Sequence, residues 1–293
     1  MFEGFETLDI EINGVHIHGR HGGDGPPLLL LHGNPMTHVT WHRLVPVLSQ
    51  HFHVVATDLR GYGDSSAPPA GDNNVNYSFR AMADDQVQVM CSLGYDRFRV
   101  AGHDRGARTA HRMALDYPGV VEQVALIDIL PNHHIWNHVS RQWAQSSWHW
   151  VFMVQPEGFP ERMMGAVPAD WFMTHKLSKP GIGLDFMDPA AFAEYVRCFN
   201  EKTIRGSCAD YRACITCDLE MDSRDVDAGN KIDMPALVIW GSKSHTGKVY
   251  GDILPIWRQY ATRVSGGAIE CGHYVQEEAP QETLEWLLEF FSQ

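Results

Sequence analysis

An aspartate lies at the centre of a glycine-flanked segment, Gly-His-Asp-Arg-Gly at residues 102–106, between a strand-like run and a helix-like run. A sharp turn from strand to helix crowds the backbone at its flanks, so glycines there allow the central side chain to project above the sheet. A carboxylate is already ionised at neutral pH and suits displacement at a saturated carbon, which leaves an ester on the enzyme. The glycine spacing is weak evidence alone, but in this setting it predicts that Asp104 is a nucleophile.

A histidine and a second carboxylate could complete such a site. His273 follows the last strand-like segment, which matches the order nucleophile, acid, histidine along the chain. Asp128 ends an apolar run, where an ionised side chain would be costly without a partner. We therefore predict that Asp128 orients His273, which activates the water that cleaves the ester. Asp128 could alternatively be a buried cap of the following turn.

Backbone N–H groups beside the nucleophile could stabilise negative charge during the reaction. The segment His-Gly-Asn-Pro at residues 32–35 follows an apolar strand-like run at 27–31, where such folds place a loop that contributes one N–H. The residue after the nucleophile contributes the second. We predict that Asn34 and Arg105 supply these two groups.

Two arginines lie one helical turn apart just after the nucleophile. Arg105 and Arg108 would share one helix face, and paired guanidinium groups fit the two oxygens of a substrate carboxylate. The alternative is that both are solvated helix arginines. We predict that they bind the carboxylate of a small anionic substrate.

An aromatic-rich segment offers donors for a departing anion. A leaving halide develops negative charge, which strong hydrogen-bond donors in a dry pocket would stabilise. His149, Trp150 and Tyr211 can all donate, although aromatic runs more often serve core packing. We predict that these three side chains bind the halide.

The composition excludes several other classes of function. A formal net charge of -13 opposes nucleic acid or an anionic membrane as a partner. The chain has no long apolar run and its N-terminus is acidic, which predicts a soluble, cytoplasmic protein. The pair Cys214 and Cys217 stands without a second such pair, and the 17 histidines are scattered. We therefore predict spectator thiols and no metal.

Alternating strand and helix patterns predict an α/β fold with a mostly parallel central sheet and helices on both faces. The alternation fills residues 1–130 and returns at 232–293, with a hairpin at Asn13-Gly14, a helix near 252–260, a strand near 267–270 and a closing helix at 280–291. Residues 131–231 are aromatic-rich and helix-like, broken by proline and glycine. They predict an inserted helical cap, so the core domain is discontinuous.

The sequence resembles the fluoroacetate dehalogenases (haloacetate dehalogenases) of the α/β-hydrolase superfamily over nearly its whole length. The motifs that carry the resemblance are His32-Gly33-Asn34-Pro35, Thr37-His38-Val39, Trp41-His42-Arg43, Asp-Leu-Arg-Gly-Tyr-Gly-Asp-Ser at 58–65, Gly-His-Asp-Arg-Gly-Ala-Arg at 102–108, Asp128-Ile129-Leu130-Pro131, His149-Trp150, Asp210-Tyr211-Arg212-Ala213 and Gly272-His273. It implies an α/β-hydrolase fold and the same site residues: Asp104 as nucleophile, His273 with Asp128, Arg105 and Arg108 on the carboxylate, and His149, Trp150 and Tyr211 on the halide. It also implies inversion at carbon, no cofactor and a homodimer.

Two positions depart from the pattern of that family, and two rival functions stay open. Asn34 stands where many relatives have an apolar residue, and residues 176–181 lack a tryptophan that some relatives have, so the preferred haloacid is left open. An epoxide hydrolase would share the nucleophile and could use Tyr211 to protonate an alkoxide, but Arg105 stands where a tryptophan is expected. The second rival is a non-catalytic ligand-binding homologue.

Overall fold

Eight strands form one sheet. They are β1 (Glu6–Ile12), β2 (Val15–Gly22), β3 (Pro27–Leu31), β4 (His53–Thr57), β5 (Phe98–His103), β6 (Val121–Ile127), β7 (Ala236–Gly241) and β8 (Val264–Ile269). The computed structural model describes residues 1–293, and the strands follow the order β1-β2-β4-β3-β5-β6-β7-β8. β2 pairs antiparallel with β1 and β4, and the remaining pairs are parallel.

Both faces of the sheet are buried. In β3, Leu29 and Leu31 belong to one core and Leu28 and Leu30 to the other, because successive side chains of a strand point to opposite faces. All four leucines have no exposed surface, as expected for a parallel strand covered on both sides. The predicted α/β architecture, with helices on both faces, is confirmed.

Fifteen helices accompany the sheet. They are α1 (Val45–Leu48), α2 (Phe79–Ser92), α3 (Arg105–Asp116), α4 (Asn132–Asn137), α5 (Arg141–Ser146), α6 (Trp148–Met153), α7 (Phe159–Gly165), α8 (Ala169–Leu177), α9 (Pro189–Cys198), α10 (Glu201–Ile215), α11 (Cys217–Ala228), α12 (His245–Tyr250), α13 (Leu254–Trp257), α14 (Val275–Glu278) and α15 (Pro280–Phe291), with 3-10 turns at His38–Trp41 and Asp72–Tyr77. None of them is both long and apolar enough to cross a membrane.

The helices from α4 to α11 all lie between β6 and β7. Their contacts are largely aromatic: the rings of Trp136, Trp143 and Trp150 pack edge to face with centroids 5.6–5.7 Å apart, a geometry that aromatic pairs favour. α10 runs through this insertion and packs on α6 and α7. The sequence segment that was predicted to be helical is therefore helical.

The strand order reverses between β3 and β5. β3 lies between β4 and β5, so the connections from this region leave in opposite directions and open a crevice at the carboxyl ends of the strands. Asn34 follows β3 and Asp104 follows β5. The topology thus brings two of the predicted site residues to the edge where open α/β sheets bind ligands.

Two predicted elements differ from the structure. The helix near 252–260 is observed only as α13, from Leu254 to Trp257, and Gly251, with φ 68° and ψ −118°, separates it from α12. The strand near 267–270 begins earlier, at Val264, since Gly266 adopts φ 138° where an added Cβ would lie 1.8 Å from the carbonyl oxygen of Val238. β6 ends at Ile127, because Asp128 turns out of the strand with φ 49°.

Candidate active site

The turn after β5 holds Asp104 in a conformation that few non-glycine residues adopt, with φ 51° and ψ −113°. Two glycines make the turn possible. A Cβ added to Gly106 would lie 2.3 Å from the carbonyl oxygen of Leu31, and one added to Gly102 would lie 2.4 Å from the carbonyl carbon of Gly106. Such strain persists where the surrounding structure fixes it, often at functional sites. The Asp104 carboxylate is thereby fixed at the carboxyl edge of the sheet.

A backbone N–H from the loop after β3 contacts this carboxylate. The N–H of Asn34 donates to Oδ1 of Asp104 over 3.1 Å. Gly33 allows the approach, because an added Cβ would lie 2.5 Å from the Cβ of Asp104. The N–H of Arg105 makes no hydrogen bond to the carboxylate. Of the two predicted N–H groups, the structure therefore places that of Asn34 on Asp104.

His273 and Asp128 form a hydrogen-bonded pair beside the nucleophile. Nδ1 of His273 lies 2.5 Å from Oδ2 of Asp128, and Nε2 faces Asp104 with 3.8 Å to Oδ2. Asp128 is fixed in turn by the Gly241 N–H at 2.9 Å and the Ser244 hydroxyl at 2.8 Å, both donating to Oδ1. The carboxylate of Asp128 thus contacts His273, Gly241 and Ser244, as expected for a residue that orients His273, and the alternative of a turn cap does not describe these contacts.

The electrostatics keep both carboxylates ionised. Burial acts to raise the pKa of Asp104, but the charges of His273, His103 and Arg105 outweigh it and lower that pKa. Burial opposes ionisation of Asp128 as well, and its hydrogen bond to His273 lowers its pKa. Burial lowers the pKa of His273, but the hydrogen bond and charge of Asp128 raise it above its ordinary value. The site thus combines an ionised nucleophile with a histidine of increased basicity.

Arg105 is engaged by a carboxylate that the prediction did not include. Its Nε donates to Oδ2 of Asp210 over 2.8 Å, and its Nη2 donates to the other carboxylate oxygen. The Tyr62 hydroxyl donates to the same Asp210 over 2.6 Å. Arg105 is fully buried, so the alternative of a solvated arginine is wrong. Its Nη1 is the one guanidinium nitrogen of Arg105 without a partner, and the predicted binding of a substrate carboxylate by Arg105 and Arg108 stays a prediction.

Arg108 is buried but nearly unpaired. Its Nη1 lies 3.5 Å from Oδ1 of Asn132, which is the limit of a hydrogen bond, and its Nε and Nη2 have no partner. Its guanidinium carbon lies 4.6 Å from the ring centroid of Trp150, and that of Arg105 lies 4.2 Å from the ring of Tyr211. The two arginines therefore lie against the aromatic side chains predicted to bind halide.

A cavity of about 210 Å³ opens in front of Asp104. Its walls are Asn34, Asp104, Ser146, Trp148, His149, Trp150, His175, Lys176, Tyr211, His245, His273 and Tyr274. The structure thus brings the nucleophile, His273 and the three predicted halide-binding residues into one space. Arg105 and Arg108 do not line it.

Six wall residues were not among the predicted site residues: Ser146 and Trp148, which lie close to the predicted His149 along the chain, and four others. Lys176, His245, Tyr274 and His175 reach the cavity from the insertion, from α12 and from the residue after His273. Burial and, after it, the charge of His273 lower the pKa of His245 to about 4, so the ring is neutral at pH 7. Of these four residues, only Tyr274 carried a sequence signal, its position next to His273.

One cluster in the site has the donor set of a metal centre. Ligand atoms of Asp128, His245 and His273 lie within 4.8 Å of one another. Both oxygens of Asp128 already accept hydrogen bonds, so the arrangement fits a hydrogen-bonded pair with a neighbouring histidine. The thiols of Cys214 and Cys217 are free, and Cys214 is buried.

Comparison with known proteins places the chain among α/β hydrolases. Residues 26–181 match the model of the alpha/beta hydrolase fold. The chain is 40% identical to a fluoroacetate dehalogenase from Burkholderia sp, covering 100% of this chain and 95% of that protein. It is 32% identical to a soluble epoxide hydrolase from Corynebacterium sp. (strain C12), covering 96% and 95%.

A solved structure, described as an alpha/beta hydrolase from Nostoc sp PCC 7120, superposes with a TM-score of 0.95 at 46% identity and covers 100% of both chains. The resemblance and the fold predicted from the sequence are confirmed.

Proposed function

This chain belongs to the α/β-hydrolase family, and on that basis we propose that it is a hydrolytic dehalogenase that converts haloacetates to glycolate and halide. The fluoroacetate dehalogenase relative supports this reaction class. One combination of observations carries the proposal. Asp104 is ionised and rigidly held, and three buried guanidinium nitrogens of Arg105 and Arg108 have no hydrogen-bond acceptor in the protein.

In the first step, Asp104 attacks the carbon that bears the halogen. A new bond forms between a carboxylate oxygen and carbon, the carbon–halogen bond breaks, and the halide takes the bonding electrons. The positive φ of Asp104 and the N–H of Asn34 hold the carboxylate in place, which removes the orientational cost of the attack. The product of this step is an ester of Asp104.

The arginines account for selectivity toward anionic substrates. A buried guanidinium N–H without an acceptor is costly, so the free nitrogens of Arg105 and Arg108 favour an anion beside them. Bidentate arginine contacts match a carboxylate. Neither arginine borders the cavity in this structure, so the proposal requires the rings of Trp150 and Tyr211 to shift when substrate binds.

His149, Trp150 and Tyr211 stabilise the leaving halide in this mechanism. Burial lowers the pKa of His149 and raises that of Tyr211, so both groups are neutral donors at physiological pH. Each hydrogen bond to an ion contributes about 1.5–3 kcal/mol. These donors matter most for fluoride, because fluoride is the poorest leaving group among the halides.

In the second step, His273 takes a proton from water, and the resulting hydroxide attacks the ester carbonyl. Asp128 holds the tautomer that keeps Nε2 free to accept that proton. The bond between the Asp104 carbonyl carbon and the glycolate oxygen then breaks, that oxygen takes the proton back from His273, and the Asp104 carboxylate is regenerated. The N–H of Asn34, which donates to Oδ1 of Asp104, stabilises the oxyanion in this mechanism.

The division of the chain and its assembly are part of the proposal. We assign residues 1–130 and 232–293 to the hydrolase core and residues 131–231 to a cap, and we propose a cytoplasmic homodimer. Light scattering of the purified protein tests the dimer. Expression of the two parts separately tests the domain division, and neither part alone is expected to form the catalytic cavity, because residues of both line it.

The proposal is tested by measuring free halide and glycolate from fluoroacetate, chloroacetate, bromoacetate, 2-chloropropionate and styrene oxide. We expect halide from the haloacetates, and none with Asp104→Asn. Epoxide hydrolase is the second candidate, because the Tyr211 hydroxyl reaches the cavity and an epoxide hydrolase is among the relatives. Turnover of styrene oxide without halide from any haloacid would favour it. Ligand binding without turnover of either class would favour a non-catalytic homologue.

A further inference from the structure

A lysine of the helical insertion reaches the cavity that holds the nucleophile. Lys176 lies in the last turn of α8 and lines this cavity together with Asp104 and His149. It also lines a second, mostly apolar cavity. The aliphatic part of Lys176 therefore packs among apolar side chains, as the stems of long charged residues do.

The ammonium group of Lys176 has no partner in the protein. Two other lysines of the same region show the contrast, since Lys179 pairs with Glu278 and Lys202 donates to the carbonyls of Gly63 and Ser65 over 2.8 and 2.7 Å. Lys176 forms no hydrogen bond or ion pair. Its side chain is partly buried and faces the cavity, so the charge of the ammonium group would stabilise an anion bound beside it.

The surroundings of Lys176 show where that anion would lie. Burial lowers the pKa of Lys176 to about 8, and Asp104 is the one charged group that raises it. The charge of Lys176 in turn lowers the pKa of His149, after the larger effect of burial. Lys176 therefore shares its cavity with Asp104 and with His149, a proposed halide-binding side chain, whereas Arg105 and Asp210 do not line that cavity.

We propose that Lys176 forms an anion-binding subsite of the catalytic cavity, next to His149, which binds a small anion of the reaction. The position beside His149 favours the departing halide, and the substrate carboxylate carries the same chemistry. The identity of this anion rests on the proposed function, whereas the existence of the subsite does not. A cap lysine would thus add a positive charge to the neutral donors His149, Trp150 and Tyr211.

The test measures anion binding without turnover. Trp148 and Trp150 border the cavity, so their fluorescence reports titrations of the resting protein with sodium bromide, and separately with sodium acetate, at pH 7 and constant ionic strength. Lys176→Met removes the charge, and Lys176→Arg restores it. Lys231→Met makes the same change in net charge at an exposed position and serves as the matched control.

We expect Lys176→Met to weaken bromide binding roughly ten-fold, which is the effect of one charge-assisted hydrogen bond, with recovery in Lys176→Arg and no change in Lys231→Met. Weaker acetate binding with unchanged bromide binding would assign the subsite to the carboxylate. Unchanged affinity for both anions in folded Lys176→Met, checked by circular dichroism, would overturn the proposal. Because no substrate is turned over, these results stand apart from any failure to detect dehalogenase activity.

Discussion

Nε2 of His273 lies 3.8 Å from Oδ2 of Asp104, which is beyond the range of a hydrogen bond. A histidine that activated this nucleophile would have to remove a proton from it, and an ionised aspartate has none to give. The spacing instead leaves Nε2 free to accept a proton from a water that approaches an ester at Asp104. This spacing fits the proposed role of His273, which acts only in the second half of the reaction.

The first prediction concerns His273→Gln. Without the base, Asp104 should still displace halide, but the ester should persist. We expect a burst of halide close to one equivalent per active site, followed by almost no turnover, and intact-protein mass spectrometry should find one added carboxymethyl group. Asp104→Asn is the control and should give neither burst nor adduct. A variant that turns over at the wild-type rate would remove His273 from the mechanism.

The second prediction is a pH dependence. His273 works as a base only when neutral, so hydrolysis of the ester should rise with pH through its pKa. That pKa lies above the ordinary 6.5, because the hydrogen bond and charge of Asp128 outweigh burial. The rising limb of the profile of rate against pH should therefore lie above pH 6.5. Asp128→Asn removes the raising charge and should shift the limb to lower pH.

The same Asp128→Asn change should lower the rate at least about a hundred-fold, because the imidazole loses its orienting partner. Bromoacetate is the substrate for these profiles, since its displacement step is fast. A limb that stays in place in Asp128→Asn would contradict the proposed pairing.

Some of this site could be predicted from the sequence because it depends on local geometry. The glycines around Asp104 and Asn34 mark turns that the backbone itself requires, and the order of strand and helix patterns places these turns at one edge of the sheet. The pairing of Asp128 with His273 was predicted from the cost of an isolated buried carboxylate. These inferences need no knowledge of distant contacts.

The contacts of the arginines could not be predicted in this way. The sequence places Arg105 and Arg108 on one helix face. It does not show that Arg105 pairs with Asp210 of α10, or that the one hydrogen-bond partner of the Arg108 side chain is Asn132. The position of Lys176 could not be predicted for the same reason, because the fold of the insertion determines which polar side chains of the insertion face the sheet. Side-chain partners between segments about 100 residues apart follow from packing, which periodicity does not encode.

The third prediction separates the two arginines. Arg108→Ala removes a group with two unpaired nitrogens, so the fold should lose little, while kcat/KM for chloroacetate should fall about a hundred-fold. Arg105→Ala leaves Asp210 buried without its partner and should destabilise the protein by about 3–5 kcal/mol. Urea denaturation and steady-state kinetics on both variants provide the measurement. Equal stability losses would contradict the different roles.

The fourth prediction tests the turn that holds the nucleophile. In Gly106→Ala, the new methyl group would lie 2.3 Å from the carbonyl oxygen of Leu31, so α3 would have to move away from β3. We expect a loss of more than about 3 kcal/mol in the free energy of unfolding. Gly119→Ala is the matched control, because its added Cβ meets no atom within 4 Å, and its stability should change by less than about 0.5 kcal/mol.

The last prediction concerns the leaving group. Tyr211→Phe keeps the ring that packs on Arg105 and Trp150 but removes one donor to the halide. Because fluoride needs that donor most, kcat on fluoroacetate should fall about 10–100-fold and kcat on bromoacetate only a few-fold. Tyr117→Phe, whose hydroxyl donates to Asp84 outside the cavity, should leave both rates unchanged. A donor to the leaving group must have a larger effect on fluoride, a poor leaving group, than on bromide, a good one. Equal losses of kcat on the two substrates would therefore show that Tyr211 acts before the halide departs.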